Sequence, residues 1–81
     1  MTLAEAVAKR IRELCDDKKI KPNSLAHLAG IPRASVYSLV RQRGENPKLM
    51  GIMRICDALD ITLKDFFDTP YFDQLIWNID D

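Results

Sequence analysis

The chain has 81 residues, of which 47% are apolar, and its 12 basic and 12 acidic side chains cancel. That composition fits one small globular domain and argues against global disorder. Two cysteines, Cys15 and Cys56, and one histidine, His27, are too few for a disulfide framework or a four-ligand zinc site. No apolar run approaches the roughly 20 residues needed to span a bilayer. The opening Met1-Thr2-Leu3-Ala4-Glu5 lacks the basic and apolar regions of a secretory signal. The expected setting is therefore the reducing cytoplasm, with no membrane partner.

The neutral total hides a separation of charge. Residues 18–54 sum to +7, residues 55–81 to −6 and residues 1–17 to −1. Local charge rather than the total decides which face meets phosphate, so the middle of the chain is the candidate surface for a nucleic acid.

In chain order, Leu3, Val7, Ile11 and Leu14 recur at helical spacing and predict a first helix over Thr2 to Asp17. Thr2 and Glu5 form a capping-box pair at its start. The second helix is short, Pro22 to Ala29, with proline in the first turn and Gly30 as the stop. Pro32 prevents its continuation. The third helix is predicted from Arg33 to Gln42, with Val36, Leu39 and Val40 buried and Arg33, Ala34, Ser35, Tyr37, Ser38 and Arg41 facing out. Gly44-Glu45-Asn46 reads as a loop. Asn46 and Pro47 then read as the cap and first position of a fourth helix carrying Leu49, Ile52, Met53, Ile55, Cys56 and Leu59. Met50, Met53, Phe66 and Phe67 are expected in the core. A fifth helix opens at Thr62, with Asp65 three residues on. Pro70 starts a short helical tail.

The centre of this pattern is two short helices joined by a tight turn. A helix-turn-helix crosses its helices at about 90–120°. Ala26 is small where the third helix passes, Gly30 reverses the chain, and Leu25, Ile31, Val36 and Leu39 form the apolar seam. Leu25-Ala26, Gly30-Ile31, Ser35-Val36-Tyr37-Ser38-Leu39, Asn46-Pro47-Lys48-Leu49 and the stretch Ile55 to Phe67 together resemble the Xre/Cro-type helix-turn-helix regulators, which include phage repressors. The resemblance covers about Arg10 to Phe67. It implies an all-α, compact five-helix, lambda-repressor-like DNA-binding domain over residues 1–68, with a short C-terminal helical tail at 69–81.

The same resemblance implies roles by position. Arg33, Ala34 and Ser38 match base-contacting positions, with Ser35 and Tyr37 beside them, because recognition helices read bases from their N-terminal residues. Lys21 and Asn23 match phosphate contacts at the start of the second helix, and Arg41, Arg43 and Lys48 match a second phosphate clamp. Pro22 and Pro32 depart from the family pattern, standing where a phosphate-contacting side chain and a capping Ser or Thr are usual. So do Val40, in place of a frequent acid, and a loop about a residue longer than the common form.

The implied function is a sequence-specific double-stranded DNA-binding transcriptional regulator, a repressor, acting as a homodimer without a cofactor or small-molecule substrate. An enzyme is not expected, since no nucleophile–base pair, paired carboxylates or Gly-rich phosphate loop stands out. The alternative is a protein-interaction module, or antitoxin-like partner, on the same fold. In the tail, Tyr71, Phe72, Leu75, Ile76 and Trp77 form an apolar stripe read as a dimer interface, with packing against the same chain as the other possibility.

Overall fold

The computed structural model describes residues 1–41 and 46–75. These residues form five helices and a closing turn: α1 (Leu3–Lys18), α2 (Pro22–Ala29), α3 (Arg33–Val40), α4 (Leu49–Ala58), α5 (Leu63–Phe67), and a 3₁₀ turn at Pro70–Gln74. Among the described residues the expectation of an all-helical, five-helix domain is met.

Helix starts follow side-chain chemistry. Thr2 Oγ1 accepts the Glu5 N–H at 3.2 Å while Glu5 Oε1 accepts the Thr2 N–H at 2.8 Å, closing the expected capping box. That hydrogen bond from the Thr2 backbone holds the Glu5 carboxyl below its usual value. At α5, Thr62 Oγ1 accepts the Asp65 N–H at 3.0 Å.

The ends of α1, α2 and α4 share one device. Lys19, Gly30 and Asp60 each sit in the left-handed region, with φ of 55°, 67° and 57°. The N–H groups of the isoleucines that follow reach back five residues: Ile20 to Cys15 O at 2.9 Å, Ile31 to Ala26 O at 3.2 Å, and Ile61 to Cys56 O at 3.0 Å. These are Schellman endings, which satisfy carbonyls a helix leaves free. Each ending also throws its isoleucine back against the core. Only Gly30 was legible beforehand, because Lys19 and Asp60 adopt the left-handed conformation without being glycine.

The core is built from every helix. Val7, Ile11, Leu14 and Cys15 of α1 meet Leu25 and Ala26 of α2, Val36 of α3, Ile52, Ile55 and Cys56 of α4, Leu59 at its end, and Phe66 of α5. Each large side chain fully buried here contributes about 1.5–3 kcal/mol. Burial also pushes both thiols up, so Cys15 and Cys56 stay protonated at neutral pH and pack as small hydrophobes.

Arginines tie α1 to the ends of two other helices. Arg10 donates through Nε to Phe66 O and through Nη2 to Asp65 O, both at 2.7 Å. Arg12 donates to Val40 O, the last carbonyl of α3, at 3.0 Å. A cation on terminal carbonyls both satisfies them and complements the helix dipole.

Several expectations change. The fourth helix starts at Leu49 with an extended Lys48 as its cap residue, so Asn46 and Pro47 precede it and Asn46 caps nothing. The third helix stops at Val40, because Arg41 turns out of helical geometry (φ −94°, ψ 6°); Gln42 lies outside the described residues. Leu3, Leu49, Met50 and Met53 are exposed rather than buried. On α4 only the side carrying Ile52, Ile55, Cys56 and Leu59 faces the bundle, so the broad apolar stripe wraps beyond what the core covers. Phe67 is half-buried beside a fully buried Phe66.

The closing turn packs against its own chain. The Phe72 ring lies 5.0 Å from Phe67 and 6.2 Å from Phe66, centroid to centroid. Tyr71 donates its hydroxyl to Glu13 Oε1 at 2.6 Å, and Lys9 Nζ stands 4.9 Å over its ring. Burial, and then the Glu13 hydrogen bond, push the Tyr71 phenol up to about 12 from 10.0.

Two tests follow from these features. A Cβ at Gly30 would meet nothing within 4 Å, so Gly30→Ala isolates the backbone cost of the left-handed conformation. It should destabilise by about 1 kcal/mol, and Asp60→Gly should stabilise by a similar amount, read as opposite shifts in thermal midpoint. The raised phenol value means that the neutral Tyr71 stabilises the turn fully below pH 10 and loses this as pH rises through about 12. In Tyr71→Phe, thermal midpoints should therefore fall less between pH 10 and 12 than in the wild type.

Candidate nucleic-acid interface

The helix-turn-helix is made by α2 and α3, which pack directly on one another while α1 backs α3 and α4 backs α2. Val36 is the fully buried anchor of α3, with Ile31, Leu39 and Val40 half-buried around it. Arg33, Ala34, Ser35, Ser38 and Arg41 are consequently exposed along one side. Tyr37 is half-buried, and its ring lies beneath the Arg41 guanidinium at 4.7 Å. That stacking holds two long side chains at the end of α3 in one place.

The two helix starts converge. Arg33 Nη1 donates to Asn23 Oδ1 at 3.3 Å, joining the first residue of α3 to the first turn of α2. Lys21, the cap residue of α2, stands exposed beside them. Neither start carries a side-chain cap: Lys21 and Pro32 occupy the cap positions, and neither makes the cap hydrogen bond. Uncapped N–H groups and the positive end of a helix dipole suit an anion. His27 is exposed on α2, as its position predicts.

Along α3, Ser35 and Ser38 line a cavity of about 420 Å³ together with Lys48 and Arg54. Ile31, Leu39 and Met50 give it an apolar part of its lining. Arg54 belongs to this group although it was not singled out from the sequence. A lone arginine on an exposed helix face gives no signal until the fold sets it opposite α3. Arg43 lies outside the described residues, so its expected place in the clamp has no geometry. No aspartate or glutamate occurs between Lys18 and Arg41, and none between Asn46 and Arg54. Among the described residues, these two segments carry cations and no carboxylate side chain.

In the tail, Tyr71 and Phe72 are half-buried against α1 and α5, and Leu75 is half-buried at the end of the described segment. Ile76 and Trp77 lie outside the described residues. Among the described residues no group of three or more His, Cys, Asp or Glu side chains could hold a metal ion, and no helix is long and apolar enough to cross a membrane.

Comparison with known proteins agrees with this geometry. Residues 10–70 match the Cro/C1-type HTH DNA-binding domain. Among solved structures, the crystal structure of the prophage Lp1 protein 11 is similar, with a TM-score of 0.81 and 30% identity over 90% of this chain and 96% of that one. No curated protein matches the sequence. With a paired α2 and α3, an exposed cationic face on that pair, and a family match over residues 10–70, the chain belongs to the Cro/C1-type helix-turn-helix DNA-binding domains.

Proposed function

We propose that this protein is a sequence-specific regulator that inserts α3 into the major groove of double-stranded DNA and works in the cytoplasm as a homodimeric, non-enzymatic repressor. The observation that carries the reading is the Arg33–Asn23 hydrogen bond, which joins exposed residues at the starts of α2 and α3 on one face. Arg33 reads a guanine edge with its guanidinium aimed by Asn23, and Ala34 lies against a thymine methyl. Ser35, Tyr37 and Ser38 complete the reading side. Lys21 and Asn23 hold one phosphate strand, while Arg41, Arg43 and Lys48 hold the next. Arg54 joins that second group, since it lines the same cavity as Lys48.

Repression is the simplest outcome of such binding, because a domain seated on its site excludes other proteins from it. A palindromic site needs a two-fold protein, with half-sites about 34 Å apart. The acidic part of the chain, −6 over residues 55–81, then turns away from the DNA.

A second reading, a protein-interaction module of the antitoxin-like kind, is favoured by Pro22 and the uncapped Pro32 at the two helix starts. It predicts weak or no DNA affinity.

Fluorescence anisotropy with duplex DNA across a salt series separates the two. Affinity should fall steeply with salt, and Lys48→Ala should make the log–log slope shallower by about 0.9, equally on every sequence. Arg33→Ala should instead relax base preference at one position, by roughly 1–3 kcal/mol, with little change in the salt slope. Absence of binding at low salt would sink the regulator reading and leave the protein-partner reading in its place.

A further inference from the structure

The cavity of about 420 Å³ lined from α3 and α4 carries chemistry that DNA contact alone does not use. Its volume lies within the roughly 300–1,000 Å³ of small-molecule pockets, which combine an apolar lining with a few polar groups. Ile31, Leu39 and Met50 give the apolar part, while Lys48 and Arg54 supply cations and Ser35 and Ser38 hydroxyls. Among the described residues no carboxylate lines it, whereas the groove beside α5 sets Lys64 near Asp68. A phosphodiester can use the cations and hydroxyls, but it offers nothing to the apolar lining. Gly51 is a separate observation. It lines the same cavity from within α4, where glycine weakens a helix relative to alanine. Its φ is not positive, and a Cβ built there meets only Leu39 Cδ1, at an ordinary 3.7 Å. Neither backbone conformation nor crowding therefore requires glycine here. What the missing side chain does is leave the space beside Leu39 open.

We propose that this cavity binds a small organic acid, an apolar body bearing one carboxylate, and that the acid is an effector that releases the protein from DNA. The apolar body lies against Ile31, Leu39 and Met50, and the carboxylate accepts hydrogen bonds from Lys48 and Arg54. An uncharged molecule of the same shape leaves both cations without a partner. Inorganic phosphate leaves the apolar lining in water. The lining is matched only when both parts belong to one molecule. The release rests on the regulator reading above, in which Lys48 and Arg54 hold a phosphate strand and Ser35 and Ser38 belong to the reading side. Acid and duplex then compete for the same side chains, and each lowers the affinity of the other by the same factor. The acid is bound and released unchanged, so no catalytic group is needed.

The test is amide chemical-shift mapping by NMR on the full 81-residue chain. The probes are octanoate, its uncharged counterpart octanol, and inorganic phosphate, compared at equal ionic strength. Octanoate should shift the Ser38, Leu39 and Gly51 amides saturably and bind roughly tenfold more tightly than octanol, the worth of one charge-assisted hydrogen bond. Lys48→Ala with Arg54→Ala should bring octanoate down to the octanol affinity and leave octanol unchanged; both positions are exposed, so the fold is kept. Gly51→Leu, which fills the space, should weaken octanoate and octanol together, with circular dichroism reporting helicity. Fluorescence anisotropy on duplex DNA reads the release, and octanoate should weaken DNA binding in step with its occupancy of the cavity. The site is overturned if the octanoate shifts do not saturate, or fall on Leu63 and Phe67 instead. It is equally overturned if octanol or phosphate binds as tightly as octanoate, or if the double alanine variant binds octanoate as well as the wild type. Octanoate bound in the cavity with DNA affinity unchanged overturns the effector role. Octanoate bound there by a protein with no DNA affinity of its own removes the regulator reading and supports the site alone.

Discussion

Everything about the proposed reading surface depends on the burial of Val36. An eight-residue helix is too short to persist in water on propensity alone, because nucleation costs more than so few hydrogen bonds return. α3 survives because Val36 is fully buried where the helix packs on α1 and α2, with Ile31, Leu39 and Val40 half-buried against the same core. Arg12 adds the remaining tie by holding the carbonyl at the helix end. The orientation of every outward residue on α3 is inherited from that one inward residue.

The polar ties that support this arrangement are of a particular kind. Arg10 and Arg12 donate to backbone carbonyls, not to carboxylates. Carbonyls do not titrate, so the acceptor side of the links from α1 to α3 and α5 does not change with pH. The Tyr71–Glu13 contact is different, since both partners ionise. The body of the domain and its closing turn therefore respond differently to the same change in solution.

Much of this was legible in the sequence, for identifiable reasons. Helices α1, α2 and α5 were placed by local chemistry: the Thr2–Glu5 pair, Pro22 with Gly30, and Thr62 with Asp65 act within one turn of chain. The start of α4 was misplaced because Asn46-Pro47 is a good cap-and-first-turn signal by itself, and nothing nearby reveals that Lys48 is extended. Lys19 and Asp60 were missed because their left-handed backbone is imposed by the isoleucines that follow, whose packing is a tertiary fact. Met50 and Met53 were assigned to the core because an apolar stripe shows that a face is hydrophobic without showing which neighbour covers it. The outward residues of α3 were readable as a group; the Arg33–Asn23 contact and the placement of Arg54 opposite Ser38 needed the fold.

The sparse anchoring of α3 has a consequence for how such a protein changes over generations. Arg33, Ala34, Ser35, Ser38 and Arg41 are exposed, so replacing them removes little that the core depends on. Exposed substitutions of this kind usually cost within about 0.5 kcal/mol. A lineage can exchange the outward letters of this helix one after another and remain folded throughout, provided Val36 is kept. On the proposed reading retargeting is cheap, because the exposed side of α3 and its buried anchor are separate faces of the same eight residues.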